Sequence, residues 1–344
     1  IGMYTDKDTI TLENNGTIEG GDKTVGIYGY NANLGATSTT KVGSGGTGVY
    51  SKGGNVTING GTLSVGENGI AGSNDAVGVY YVGAGGTIIS NADDVKIGNG
   101  AYGFVVQNEN GAGVSLVTNT PNVTLGNDAV YTYSNNRAGT VINNTVLNST
   151  GDGNYGVYSA GTVTNNAQIN FGTGIGNVGM YSILGGTATN NSAITVGASD
   201  AAAEKFAIGM AAGYQNSDTG NVINNGTINV NGEYSIGMYA SGAGSTATNG
   251  GNIVLNANNT TGIYADNGAT VTNTGNISTA SGNYSKVVGV YLGRGSTLNN
   301  TGSINIDGAS GVGVYLKGGT VVNRGNITVN GSNDPADTDY SFTT

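Results

Sequence analysis

One tripeptide recurs along the whole chain: Gly, then Val, Ile or Met, then Tyr. It stands at Gly2-Met3-Tyr4, Gly26-Ile27-Tyr28, Gly48-Val49-Tyr50, Gly78-Val79-Tyr80, Gly156-Val157-Tyr158 and Gly179-Met180-Tyr181. It returns at Gly237-Met238-Tyr239, Gly262-Ile263-Tyr264, Gly289-Val290-Tyr291 and Gly313-Val314-Tyr315. Looser copies at Gly103-Phe104-Val105, Ala129-Val130-Tyr131 and Gly209-Met210-Ala211 bring the number to 13, spaced 22 to 30 residues apart with a mean near 26. A period of this size points to a solenoid of supersecondary units rather than to one closed core.

A second element follows most copies. It is a short apolar-alternating run, then Asn, a small turn and Ile, as in Val222-Ile223-Asn224-Asn225-Gly226-Thr227-Ile228 and Val271-Thr272-Asn273-Thr274-Gly275-Asn276-Ile277. A unit therefore reads as three short strands separated by Gly- and Asn-rich turns. From Ser235 they are expected at residues 235–240, 245–249 and 251–255. Such a unit buries its apolar face only when stacked on its neighbour, each strand pairing in parallel with its equivalent one repeat away. The other two strands serve as the long crossover that parallel pairing requires. The expected fold is all-β: a right-handed parallel β-helix of about 13 coils, a single body over residues 1–344. At about 4.8 Å per strand step it would be a rod of roughly 60 Å.

Composition narrows the chemistry. The chain has 65 Gly and 49 Asn, 2 Pro and no His, Cys or Trp. Without His or Cys there is no Ser-His-Asp triad, no thiol nucleophile and no zinc-finger type of site. Gly does not recur every third residue, which excludes collagen. Hydrophobic residues at 37% argue against disorder. Eleven basic residues against 21 acidic ones give a net charge of −10, which repels nucleic acid and anionic membrane surfaces.

Strict alternation along Ser235-Ile236-Gly237-Met238-Tyr239-Ala240 puts Ile236 and Met238 inside, with Gly237 and Tyr239 outside. Tyr4, Tyr28, Tyr50, Tyr80, Tyr131, Tyr158, Tyr181, Tyr239, Tyr264, Tyr291 and Tyr315 should then form an outer column. It reads as packed rings of the scaffold or, alternatively, as a platform for sugars or a partner. A second column, Asn15, Asn91, Asn119, Asn143, Asn165, Asn190, Asn224, Asn249, Asn273 and Asn323, reads as an asparagine ladder that satisfies turn backbone.

Taken together, the Gly-(Val/Met/Ile)-Tyr strand, the Asn-Asn-Gly-Thr-Ile step at residues 224–228 and the low-charge Gly/Asn/Thr background resemble bacterial type V autotransporter passenger domains. The large fusobacterial outer-membrane adhesins are the nearest likeness. The resemblance covers essentially the whole chain. It implies a cell-surface protein on the extracellular face of the outer membrane, held there by a C-terminal barrel that this sequence does not contain. It also implies attachment to a host receptor or glycan, or to another bacterium. Ile1 begins on a Gly-Met-Tyr strand and residues 340–342 read as the approach to another coil, so the sequence is expected to be a segment cut within the repeat at both ends.

Insertions are the candidate contact sites, because solenoid insertions often line the binding face. They fall at residues 66–76, 197–207 and 279–286 after the third strand, and at 212–220 after the first. The candidate contact residues are Asn74, Asp75, Asp200, Glu204, Lys205, Tyr214, Gln215, Tyr284 and Lys286. The acids are mostly isolated and do not recur at the offset of one coil. Glycoside cleavage needs two carboxylates about 5 to 10 Å apart across a cleft, so no enzyme, cofactor or metal is expected. The chain is expected to be a monomeric adhesin segment. A structural stalk is the alternative reading, and a polysaccharide-degrading β-helix a distant one.

Overall fold

The computed structural model describes residues 1–68, 75–214, 218–281 and 284–331. They form 39 strands, every one paired in parallel with its equivalents in the adjoining coils. The first strands make one 13-stranded sheet and the second strands another. The third strands make a 4-stranded and a 9-stranded sheet end to end. The fold is thus an all-β parallel solenoid of about 13 turns, without a helix among the described residues. In the unit used above, the strands run Ile236–Ser241, Thr246–Asn249 and Asn252–Leu255, close to the expected bounds.

The core is a set of aliphatic stacks running along the axis. Ile27, Val49, Val79, Met180, Met210, Met238 and Ile263 occupy one inner column of the first face and are buried. The second and third faces alternate plainly: Val222 and Asn224 point in, as do Ile228 and Val230. Their outward partners are mostly Thr and Asn, which suit a pleated, half-solvated surface.

The first face corrects the alternation expected from sequence. Met238 is inside and Tyr239 outside, as expected, but Gly237 is buried and Ile236 lies half-exposed. Pairing skips the glycine: Ile236 matches Thr261 and Met238 matches Ile263. Two successive residues thus face inward, which a regular pleat forbids. A Cβ on Gly237 would lie 2.6 Å from the Gly262 carbonyl oxygen and 2.8 Å from Cγ2 of the buried Ile253. Gly209, Gly262 and Gly289 stand against the next glycine carbonyl and a third-face isoleucine in the same way. The glycine of the repeat is therefore a close-approach residue at an inner corner, not a companion to the outer tyrosine.

Tyr131 is a second correction. Register aligns Thr132 with Val157 and Tyr133 with Tyr158, so Tyr133 belongs to the outer column. Tyr131 takes the inward glycine position and is fully buried. Its ring meets Phe104 edge-on at 5.6 Å, and its hydroxyl donates to Thr145 Oγ1 at 3.0 Å. The small Thr132 beside it replaces the aliphatic of other coils.

The asparagines form two ladders rather than one. Asn143, Asn165, Asn190, Asn224, Asn249, Asn273 and Asn300 are buried at the end of the second strand. Each Nδ2 donates to the Oδ1 of the next at 2.7 to 3.0 Å, ending on Asn323. Each also donates to a turn carbonyl two residues on, such as Asn190 to Ser192 at 2.7 Å. Asn91 and Asn119 belong instead to an outer ladder with Asn144, Asn166, Asn191 and Asn225. Asn15 stands one residue after the buried Asn14, so it too is outside the inner column.

Candidate binding groove on the tyrosine face

Tyrosine rings along the first face stack because strand spacing brings equivalent side chains within ring-contact distance. Tyr4, Tyr28, Tyr50 and Tyr80 form one stack, with centroids 4.8 to 5.5 Å apart. Tyr239, Tyr264, Tyr291 and Tyr315 form another at 4.4 to 5.8 Å, with interplanar angles of 7 to 17°. Between them, Tyr133 stacks on Tyr158, and Tyr158 meets Tyr181 edge-on with Tyr155 alongside. Two coils break the column, at Val105 and at Ala211.

The break at Val105 lies in a groove of about 890 Å³ on the outer surface. Its lining comes from the two outward columns of the first face: Val25, Thr47, Val77 and Tyr102 on one side, and Tyr28, Tyr50, Tyr80, Val105 and Tyr133 on the other. Asp75 and Gln107, both exposed, complete it. Val105 itself is buried beneath its neighbours. Tyr102, in the same coil, meets Tyr133 edge-on at 6.4 Å. Burial, then the Asp75 carboxylate, push the Tyr102 phenol above its ordinary pKa. Burial, then Glu109, do the same for Tyr133. Both hydroxyls therefore stay protonated and can donate.

The same coil interrupts the third face. The 4-stranded sheet ends at Asp94–Ile97 and the 9-stranded one starts at Asn122–Leu125, directly after Pro121. Proline has no amide proton, so one ladder donor is missing at the entry to that strand.

Residues 66–76, 197–207 and 279–286 connect third-face to first-face strands, and residues 212–220 connect the first face to the second. In residues 197–207, Asp200 and Lys205 exchange backbone hydrogen bonds at 2.8 and 2.9 Å, and the Asp200 carboxylate accepts from the amides of Ala202 and Ala203. Glu204 and Lys205 are exposed there, with Phe206 also exposed, and Asp200 is half-buried. Tyr214 is exposed on the other edge, its amide bonded to the Asp218 carbonyl. Tyr284 is partly buried against the core. Lys286 holds a left-handed backbone at φ 56°. Asn74 and Gln215 lie outside the described residues.

These loops do not converge. The loop before Val77 and the loop before Ile208 are five coils apart, about 24 Å along the axis. Of the described candidate residues, Asp75 is the one that lines the groove. Sequence reading missed Val105, Gln107 and Tyr102 as lining of this groove. The signal was present: the degenerate copy Gly103-Phe104-Val105 is the place where the outer tyrosine is lost.

Comparison with known proteins gives one partial likeness. Residues 172–276 are similar to the family model of the BigA third pectate lyase-like domain. That stretch is well short of half the chain, and the solenoid continues with the same geometry on both sides of it. No curated protein and no solved structure matches the chain. The solenoid and this likeness together fit a surface protein of passenger type; the closer likeness to fusobacterial adhesins has no counterpart among the matches.

Proposed function

We propose that this chain is a segment of an autotransporter-like adhesin, displayed on the outer face of a bacterial outer membrane. It attaches without covalent chemistry to a receptor or glycan on host cells or on another bacterium. The observation that carries this reading is the tyrosine-lined groove at the break in the column, where rings, a carboxylate and an amide face solvent together. A ladder that only held the rod together would need no break. The likeness of residues 172–276 to a BigA domain supports a surface location. The chain acts as a monomer and needs no cofactor, and its carboxylates serve the surface rather than a reaction.

A stalk that only projects a distal tip is the second reading, favoured by the unbroken stack from Tyr239 to Tyr315. Binding of the labelled 344-residue chain to cultured epithelial cells and to bacterial cells separates the two. Saturable attachment supports the adhesin. Attachment to neither leaves the stalk, and turnover of a polysaccharide would overturn both.

A further inference from the structure

We infer that Tyr264 and Tyr291 form an oxidative cross-linking site, where a peroxidase and hydrogen peroxide join the two rings as dityrosine and staple two coils together. This goes beyond the adhesive reading and does not depend on it.

The repeat itself brings the two rings together. Tyr264 and Tyr291 are paired in register on adjoining first-face strands, one strand step of about 4.8 Å apart. Their ring centroids stand 4.4 Å apart, with planes 8° from parallel. No other ring contact among the described residues is as close. Parallel register sets like atoms beside like atoms, so the ring carbons next to the two hydroxyls are neighbours. Both rings are half-exposed on the outer surface, where an oxidant reaches them and they have room to tilt.

The chemistry balances on one molecule of peroxide. Through the peroxidase, each phenol gives up one electron and one proton, and the peroxide leaves as two waters. Burial first, then Tyr291 beside it, holds the Tyr264 phenol above its ordinary pKa, so its proton leaves with the electron. The two phenoxyl radicals couple through Cε carbons adjacent to the oxygens. One C–C bond forms, the C–H bond at each of those carbons breaks, and the two protons return to the oxygens. Rings held side by side couple faster than rings on separate chains that must first meet. The net charge of −10 further disfavours encounters between copies. The chain has no Cys, so no disulfide ties its coils. The new bond closes one full coil into a covalent loop and restricts the unfolded chain as a disulfide would.

The other tyrosines rank behind this pair. Tyr28 and Tyr50 come next, at 4.8 Å and 11°. Tyr158 and Tyr181 are 4.9 Å apart but 85° from parallel, edge against face, and the Tyr181 hydroxyl donates to the Gly213 carbonyl at 3.2 Å. Like edges do not meet there, so closeness alone does not make a site. Exposure alone would instead select Tyr4, Tyr214 and Tyr234.

The test treats the wild-type chain, Tyr264→Phe and Tyr291→Phe, each dilute, with horseradish peroxidase and limiting hydrogen peroxide. Phe keeps the stacked ring but forms no phenoxyl radical. Wild type should stay monomeric on a denaturing gel, gain dityrosine fluorescence and unfold several degrees higher. Trypsin cuts after Lys286 and Arg294, which places the two rings on separate peptides. Mass spectrometry should find those peptides joined at Tyr264 and Tyr291, two hydrogens lighter than their sum. Either Phe variant should lose this joined pair and most of the early fluorescence. The peptide map of the wild type decides alone if a variant folds poorly. Links only between copies, first links at Tyr4, Tyr214 or Tyr234, or equal fluorescence from all three proteins would overturn the site. Oxidation of single rings without a joined pair would overturn it as well.

Discussion

At the level of single residues, the tightest constraint is the missing side chain of the repeated glycine. Gly237→Ala forces a methyl group to within 2.6 Å of the next coil's carbonyl and 2.8 Å of Ile253. Backbone cannot yield there without moving two coils, so the substitution should cost about 1 to 3 kcal/mol. Tyr239→Ala removes one ring from the outer stack and should cost about 1 kcal/mol. Chemical denaturation of the two variants should therefore rank the glycine as the more sensitive position, and a silent Gly237→Ala would contradict the inward corner. Sequence alone showed that the glycine recurs but put it on the wrong side. Alternation assumes one continuous pleat, and nothing in a linear pattern marks a strand that turns two adjacent residues inward. Tyr131 was misplaced for a related reason: Ala129-Val130-Tyr131 mimics the motif, while Tyr131-Thr132-Tyr133 is the stretch in register.

Strands and ladders impose longer-range dependencies. The buried asparagines are coupled because each amide is both donor to one neighbour and acceptor for the other. Asn224→Ala removes the acceptor for Asn190 and the donor for Asn249, and leaves the Gly226 carbonyl short of a partner. A loss of about 1 to 3 kcal/mol is expected, against about 0.5 kcal/mol or less for Asn225→Ala on the exposed ladder. Equal losses, measured by urea unfolding, would show that the inner amides are not coupled. The tyrosines carry a pH signature as well. Burial, reinforced by Tyr133 nearby, pushes Tyr158 up to about 12, and burial pushes Tyr131 up to about 12, from an ordinary value near 10.0. Above pH 10 the unfolded chain releases phenolic protons that the folded chain keeps. This contribution to stability is complete below pH 10 and is lost as pH rises through about 12. Thermal midpoints should fall across that window, with phenolate absorbance rising late; a flat midpoint would argue that the rings are solvated. Strand number, strand bounds and the existence of an asparagine ladder were legible in the sequence, because each coil repeats them. The split into inner and outer asparagines was not, since Asn-Asn pairs such as Asn143-Asn144 read alike until the register fixes which one points inward.

Across the whole molecule, stability accumulates coil by coil, so local irregularity is affordable at few places and informative where it occurs. The coil of Tyr102–Val106 concentrates three such departures: the lost outer tyrosine, a gap in the third face beside Pro121, and the groove. The candidate site was half legible. Asp75 emerged from the insertion argument, but its partners lie on strands whose role depends on what is absent from a column, and absence shows only after the coils are aligned. The remaining loop residues stand on other coils and offer a rival surface. Attachment of three proteins to the same cells decides between them: the wild-type chain, Tyr80→Ala/Tyr133→Ala, and a variant with residues 201–204 deleted. The adhesive-groove account predicts that the double substitution loses attachment while the loop deletion keeps it. Attachment that survives the double substitution and disappears with the loop would contradict it.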